Sequence, residues 1–224
     1  MADYAALANK KTELIRKGLE GSAFIARPTA AAITAANLFT ADGLGLAASL
    51  PAGYDDLGWL TGDGAQFSRS VDSSDITSWG SNEPTRSDIT ADTTTVAVTM
   101  QETKALTLGI QYGIDPNDIE TGAGGTVELR KPSRPAANYY RLLTVAVDLG
   151  DGGEIYIARF MPRAKVTDFG DQSLNNGDDG ITWSATFTGY KDSAFGSSES
   201  YLFGGAGWNA LLEEMGFTAA AVTP

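Results

Sequence analysis

From Ile181 to Thr188 every second residue is apolar, with Ile181, Trp183, Ala185 and Phe187 alternating against Thr182, Ser184, Thr186 and Thr188. A side-chain period of two puts all four apolar groups on one face of an extended chain, the pattern of a strand that is half buried in a sheet. Thr94–Met100 repeats it with Val96, Val98 and Met100. A helix gathers neither set on one side, so these segments commit the chain to a mainly β fold with Ile181–Thr188 near its centre. Ser22–Pro28, Thr126–Lys131, Tyr139–Leu149 and Glu154–Phe169 read as further strands. They are punctuated by Pro132, Pro135 and the turn Asp148–Gly153, and Pro162 marks a bend or an edge.

Other segments read differently. Tyr4, Leu7, Ala8, Leu14 and Ile15 fall on one helical stripe, which predicts an amphipathic helix over 4–17 with Asp3 as N-cap and Gly18 as stop. Trp208, Leu211, Leu212 and Met215 recur at i, i+3, i+4 and i+7 before Gly216, predicting a short second helix. Leu57–Leu60 is expected to end at the turn Gly62-Asp-Gly64. Thr29–Gly53 has no period and predicts a long loop or arm, either mobile or ordered by a partner copy. Phe67–Thr77 and Thr85–Thr93 flank a turn at Ser81–Pro84 and predict a long hairpin; only Val71, Ile76, Trp79 and Ile89 are clearly apolar there, so its support must come from elsewhere. Glu102–Tyr112 fits both periods, since Leu106, Leu108, Ile110 and Tyr112 alternate while Ala105, Leu108 and Tyr112 share a helical face.

The chemistry open to the chain is narrow. Its 224 residues include no His and no Cys, so there is no imidazole base, thiolate nucleophile or soft metal ligand. A formal charge of −12 argues against a groove that grips nucleic acid by neutralising phosphates. Residues 1–30 run against that balance: five basic residues (Lys10, Lys11, Arg16, Lys17 and Arg27) face three acidic ones, a net of +2 that leaves −14 on the rest. No secretory signal is expected, and the Ala-rich stretch Thr29–Leu50 is too polar to span a bilayer. Gly43-Leu-Gly-Leu-Ala-Ala48 matches a dinucleotide fingerprint as a string but lacks the flanking strand and helix that motif needs. Asp148, Asp151 and Glu154, and separately Asp171, Asn175, Asn176, Asp178 and Asp179, offer oxygens for Ca²⁺, although the same residues are ordinary turn formers. The carboxylate pairs Asp55-Asp56 and Glu213-Glu214 are adjacent in sequence and point apart. No enzyme activity and no cofactor are expected.

Several short motifs, in order, carry a resemblance: Leu57-Gly-Trp-Leu-Thr-Gly-Asp-Gly64, Ser78-Trp-Gly80, Thr93–Met100 leading into Glu102-Thr103, Phe160-Met-Pro-Arg163, and Val166-Thr-Asp-Phe-Gly-Asp171 before Ile181–Tyr190. Over about Tyr54 to Tyr190 the chain resembles the major tail tube proteins of long-tailed bacteriophages. The resemblance implies a β-sandwich with Glu102–Tyr112 as a flanking helix, hexameric rings stacked into a tube, and a hairpin and terminal arms that bridge rings. The expected organisation is one structural domain: residues 1–53 as an N-terminal helix, strand and arm making inter-subunit contacts, and residues 54–224 as the core with its C-terminal helix. Asp72, Asp75, Glu83 and Asp88 are the candidates for the lumen or the ring contact, and Lys10, Lys11, Arg16 and Lys17 for an inter-subunit basic helix.

The implied partners are other copies of the chain and the tail initiator, tape measure and terminator proteins. DNA passes through the lumen without specific binding, and no membrane is involved; the expected location is the virion tail, after assembly in the host cytoplasm. An acidic wall suits this role because it repels phosphates and lets a genome slide. Two other readings fit the composition: a capsid-decoration or receptor-binding β-module, and a carbohydrate-active hydrolase using Trp59 and Trp79 as stacking platforms.

Overall fold

The computed structural model describes residues 4–133, 138–174 and 180–218. Eight antiparallel strands form its frame: β1 (Glu20–Ala26), β2 (Tyr54–Asp56), β3 (Leu60–Thr77), β4 (Pro84–Met100), β5 (Tyr139–Gly150), β6 (Gly153–Phe169), β7 (Trp183–Gly189) and β8 (Ser200–Gly204). The described helices are short: α1 (Tyr4–Leu7), α2 (Ala35–Leu38), α3 (Ala105–Tyr112) and α4 (Ala206–Ala210). The strands run in the order β2-β1-β5-β6-β7-β4-β3, and β8 pairs with β6.

That order dictates the shape. β2 and β3 are the first and last strands of the path, yet only Leu57, Gly58 and Trp59 join them. Laid flat, seven strands would span roughly 29 Å at about 4.8 Å per strand, while so short a link reaches at most about 15 Å. The sheet therefore curls back on itself. Backbone bonds from Leu57 N to Ala23 O (2.8 Å) and from Gln101 N to Trp59 O (2.9 Å) stitch the seam. Inside the curl, Ile25, Val96, Val98, Met100, Leu142, Met161, Ala185 and Phe187 form one buried core, closed on one side by Ile110 of α3. β7 lies between β6 and β4, with Trp183, Ala185 and Phe187 all buried, as the alternation demands; Ile181 stays exposed ahead of it.

α3 resolves the two-way reading of Glu102–Tyr112 in favour of a helix. Gly113 ends it in the left-handed conformation (φ 68°), and the Ile114 amide returns to the Gly109 carbonyl at 2.9 Å, the glycine stop of a helix. Pro162 falls where the β5–β6 register shifts, opposite Arg141, so the proline occupies a bulge and costs no ladder bond.

Four expectations need correction. The helix over 4–17 does not form: Tyr4–Leu7 makes one turn and Thr12–Leu14 a 3₁₀ turn, with Tyr4, Leu7 and Ile15 exposed. A helix of that length is marginal unless its stripe docks on a core, and no described residue receives it; Asp3 lies outside the described residues. Thr126–Lys131 is not a strand but meets Thr121 through a single bridge at Val127. Gly62-Asp-Gly64 does not end a strand; β3 runs through it with a register shift, Gly64 taking φ 63°.

Thr29–Gly53, finally, is held by its own subunit. Ile33, Leu38 and Phe39 pack on Leu143, Val145, Tyr156, Ala158 and Phe160, forming a second core on the outer face of the sheet. Its apolar residues follow no period because the segment is mostly irregular, anchored by the one-turn α2 and by a Thr34 N to Asn37 Oδ1 bond of 2.8 Å. Thr40–Gly45 forms the turn between Phe39 and Leu46, and Gly43–Ala48 leaves it without the strand and helix of a dinucleotide site.

Three of the motifs behind the resemblance, those holding Trp59, Glu102-Thr103 and Trp183, meet at the seam. The Trp59 amide donates to Glu102 Oε1 at 2.8 Å, Lys104 Nζ reaches Glu102 Oε2 at 3.1 Å, and Trp183 Nε1 donates to Thr103 Oγ1 at 3.1 Å. Gly58 has φ 85°, and a Cβ there would collide with the Glu102 carboxylate. The Trp59 amide, followed by Lys104, holds the Glu102 carboxyl below its ordinary value of 4.5. A depressed carboxyl stabilises the fold above its unfolded pKa, and that stabilisation is lost as pH falls through the folded one. Glu102→Gln is therefore expected to melt earlier than the parent at pH 7, the gap closing as pH drops below 4.5; thermal melts at pH 7 and pH 3 test this.

Candidate assembly surface

β3 and β4 leave the body together. β4 pairs with β7 only from Thr95 to Met100, so the arms beyond Thr94 have no third strand, and every residue from 71 to 90 is exposed. Seven residues per arm at about 3.3 Å each carry the tip roughly 23 Å from the body. A two-stranded ribbon alone in water is marginal. Threonine supplies β propensity, and two contacts tie the arms across the ribbon, Arg69 Nε to Asp92 Oδ1 at 2.8 Å and the Ser78 and Thr85 hydroxyls at 2.7 Å, while Arg86 Nε pairs with Asp88 Oδ2 at 2.7 Å along β4 itself. Arg69 holds the Asp92 carboxyl below its usual range. These pairs are exposed and contribute little each.

Register divides the ribbon into two faces. Phe67 pairs with Val96, Val71 with Asp92, Ser73 with Ile89 and Asp75 with Ser87, so Val71, Ile89 and Asp75 continue the face that is core at Phe67. Asp72 pairs with Ala91, Ser74 with Asp88 and Ile76 with Arg86 on the other. Of the four acidic candidates, Asp72 and Asp88 thus share a face, Asp75 looks the opposite way, and Glu83 sits in the tip turn beside the fully exposed Trp79.

The root of the ribbon is clamped. The Arg159 guanidinium of β6 lies 3.5 Å from the Phe67 ring centroid and 4.4 Å from that of Tyr201, and it is ion-paired with Glu199, the two side chains being only 17% and 11% exposed. A cation between two rings and paired with a shielded carboxylate fixes where β3 departs from the sheet. Sequence reasoning missed this cluster, because its members lie far apart in the chain and only the β6–β8 pairing sets Arg159 opposite Tyr201.

The four basic candidates lie on an irregular strap, not on a helix. Lys11 Nζ meets Glu214 Oε2 at 3.4 Å, and Arg16 donates to the Glu13 carbonyl at 2.7 Å and approaches Met215 Sδ at 3.9 Å. Lys10 sits 5.4 Å from the Tyr4 ring centroid, and Lys17 is exposed. The strap lies against the chain's own segment after α4.

The family described as phage tail tube protein matches residues 8–195. The chain belongs to the phage tail tube protein family. None of the curated proteins compared with it matches. Membership makes this a structural, non-enzymatic tail tube subunit of the virion tail, a family whose members polymerise with themselves. No group of three or more carboxylates among the described residues converges on a metal position; Asp148, Asp151 and Glu154 stay in their turn, and Asn175, Asn176, Asp178 and Asp179 lie outside the described residues. A cleft of about 420 Å³ between α3 and β6 is lined among the described residues by Lys131, Lys165 and the amides of Gln111, Asn138 and Gln172. No described helix is long and apolar enough to cross a membrane.

Proposed function

We propose that six copies of this tail tube protein close into a ring and that rings stack into an acidic-walled conduit for DNA ejection. The observation that carries the reading is the ribbon from 71 to 90, which has no buried residue and is built to be completed by another copy. The Asp72 and Asp88 face is the more polar, which suits it to the lumen; the opposite face, with Val71 and Ile89, suits ring contact. Six copies carry 6 × −12 = −72 charges, a repulsion that apolar burial and strand pairing between subunits offset. DNA slides through without a site, and the initiator, tape measure and terminator proteins of the tail are the further partners. Residues 1–53 contribute inter-subunit contacts through the strap.

Electron microscopy of the concentrated protein, with light scattering for mass, tests the reading. Hollow tubes with a sixfold channel are expected. A monomer at every concentration and salt, even with a tail initiator added, would instead make the chain a decoration or receptor-binding module.

A further inference from the structure

Outside the ribbon, an apolar surface beside β8 stands uncovered among the described residues. β8 pairs with β6 alone, leaving its other edge open among the described residues. Tyr201 and Phe203 point to the same side of β8, and their rings stack at 6.4 Å with planes 10° apart. Phe203 stacks on Trp208 at 4.7 Å, and Trp208 meets Phe217 at 5.8 Å. Tyr201 is 54% exposed, Phe203 41% and Phe217 54%. A continuous aromatic row beside an open strand edge is a surface that natural sheets cover. The basic strap borders it, since Lys11 and Arg16 reach Glu214 and Met215, just before Phe217.

The chain carries a complement to this surface. Residues 10–17 hold Lys10, Lys11, Arg16 and Lys17 against Glu13, a net of +3, while the ribbon from 69 to 92 holds Arg69 and Arg86 against Asp72, Asp75, Glu83, Asp88 and Asp92, a net of −3. One ribbon face offers Val71 and Ile89 to an apolar row, and Asp75 and Glu83 have no ion-pair partner among the described residues. A subunit's own ribbon does not fill its own row, because residues 71 to 90 are all exposed.

We propose that the Val71–Ile89 face of one copy's ribbon docks on the Tyr201-Phe203-Trp208-Phe217 row of the next copy, with its acidic tip against that copy's basic strap. This rests on the self-assembly reading and names the receiving surface within it. Aromatic rows supply contact area at low entropic cost, and the opposite charges set register and speed encounter.

The test uses the full chain and two kinds of variant. Asp75→Lys with Glu83→Lys, and separately Lys10→Glu with Lys17→Glu, are each expected to slow tube growth about tenfold, and the quadruple variant to recover it. All four positions are exposed, so circular dichroism and melting should match the parent. Because the chain has no cysteine, Ile89→Cys with Phe203→Cys places a single thiol pair, expected to give covalent multimers on non-reducing gels of assembled tubes, while each single variant gives none. Parent-like growth of both charge variants, or cross-links confined to single chains, overturns the docking and leaves the tube reading standing. No tubes from the parent overturns both.

Discussion

Replacing Asp72–Ala91 by Asn-Gly is expected to yield a folded subunit that forms no tubes. The change closes the hairpin at the Val71–Asp92 pair with the two-residue turn that suits antiparallel strands. No residue from 72 to 90 is buried, so the excised segment contributes almost nothing to the monomer's core. The cost in stability is expected to stay within about 1 kcal/mol, or about 4 °C in melting temperature. Assembly is different: among the described residues the ribbon is a long element whose apolar groups and strand edges are left without cover, and removing it removes what a neighbour would cover. Sedimentation and negative-stain microscopy at matched concentrations decide the matter. Tubes of normal length from the shortened chain would show that the ribbon is dispensable, and an unfolded shortened chain would show that it supports the body.

Phe187→Ala is expected to have the opposite profile, destabilising the subunit itself by about 3–5 kcal/mol. Phe187 is fully buried at the middle of β7, between Val96 on β4 and Val166 on β6. Its ring meets Tyr140 edge-on at 6.4 Å. The cavity left by truncation is walled by sheet on both sides, which cannot collapse to fill it. At about 2–4 °C per kcal/mol for a chain of this size the melting point falls by 10 °C or so. Denaturant titration of the unassembled subunit measures this, and a loss below about 1 kcal/mol would mean that β7 does not sit at the centre of the fold.

The contrast between the two variants follows a line already visible in the sequence. Where apolar residues alternate strictly, as at Val96, Val98 and Met100 or Trp183, Ala185 and Phe187, the alternation placed them on one face, and all of them are buried. Where a long segment carries few apolar residues on either face, as from Phe67 to Thr93, the composition marked a hairpin with no core of its own, and its outer part from 71 to 90 projects into solvent. The absence of His and Cys likewise narrowed the chemistry before any fold was known.

Other features were decided only in three dimensions. The stripe at Tyr4, Leu7 and Ile15 has helical spacing, but a helix so short needs a receiving surface, and none covers these residues among the described ones. Thr29–Gly53 has no period to read, yet Ile33, Leu38 and Phe39 are buried because the outer face of β5 and β6 is apolar and needs cover. Arg159, Glu199, Phe67 and Tyr201 converge only once β8 pairs with β6 and the sheet curls. The chain by itself determined the strictly alternating segments of β4 and β7 and which ribbon stays polar, since these depend on local periodicity. The curl, the second core, the clamp at the ribbon's root and the bare aromatic row came from the tertiary structure, because each depends on residues far apart in sequence that no local pattern connects.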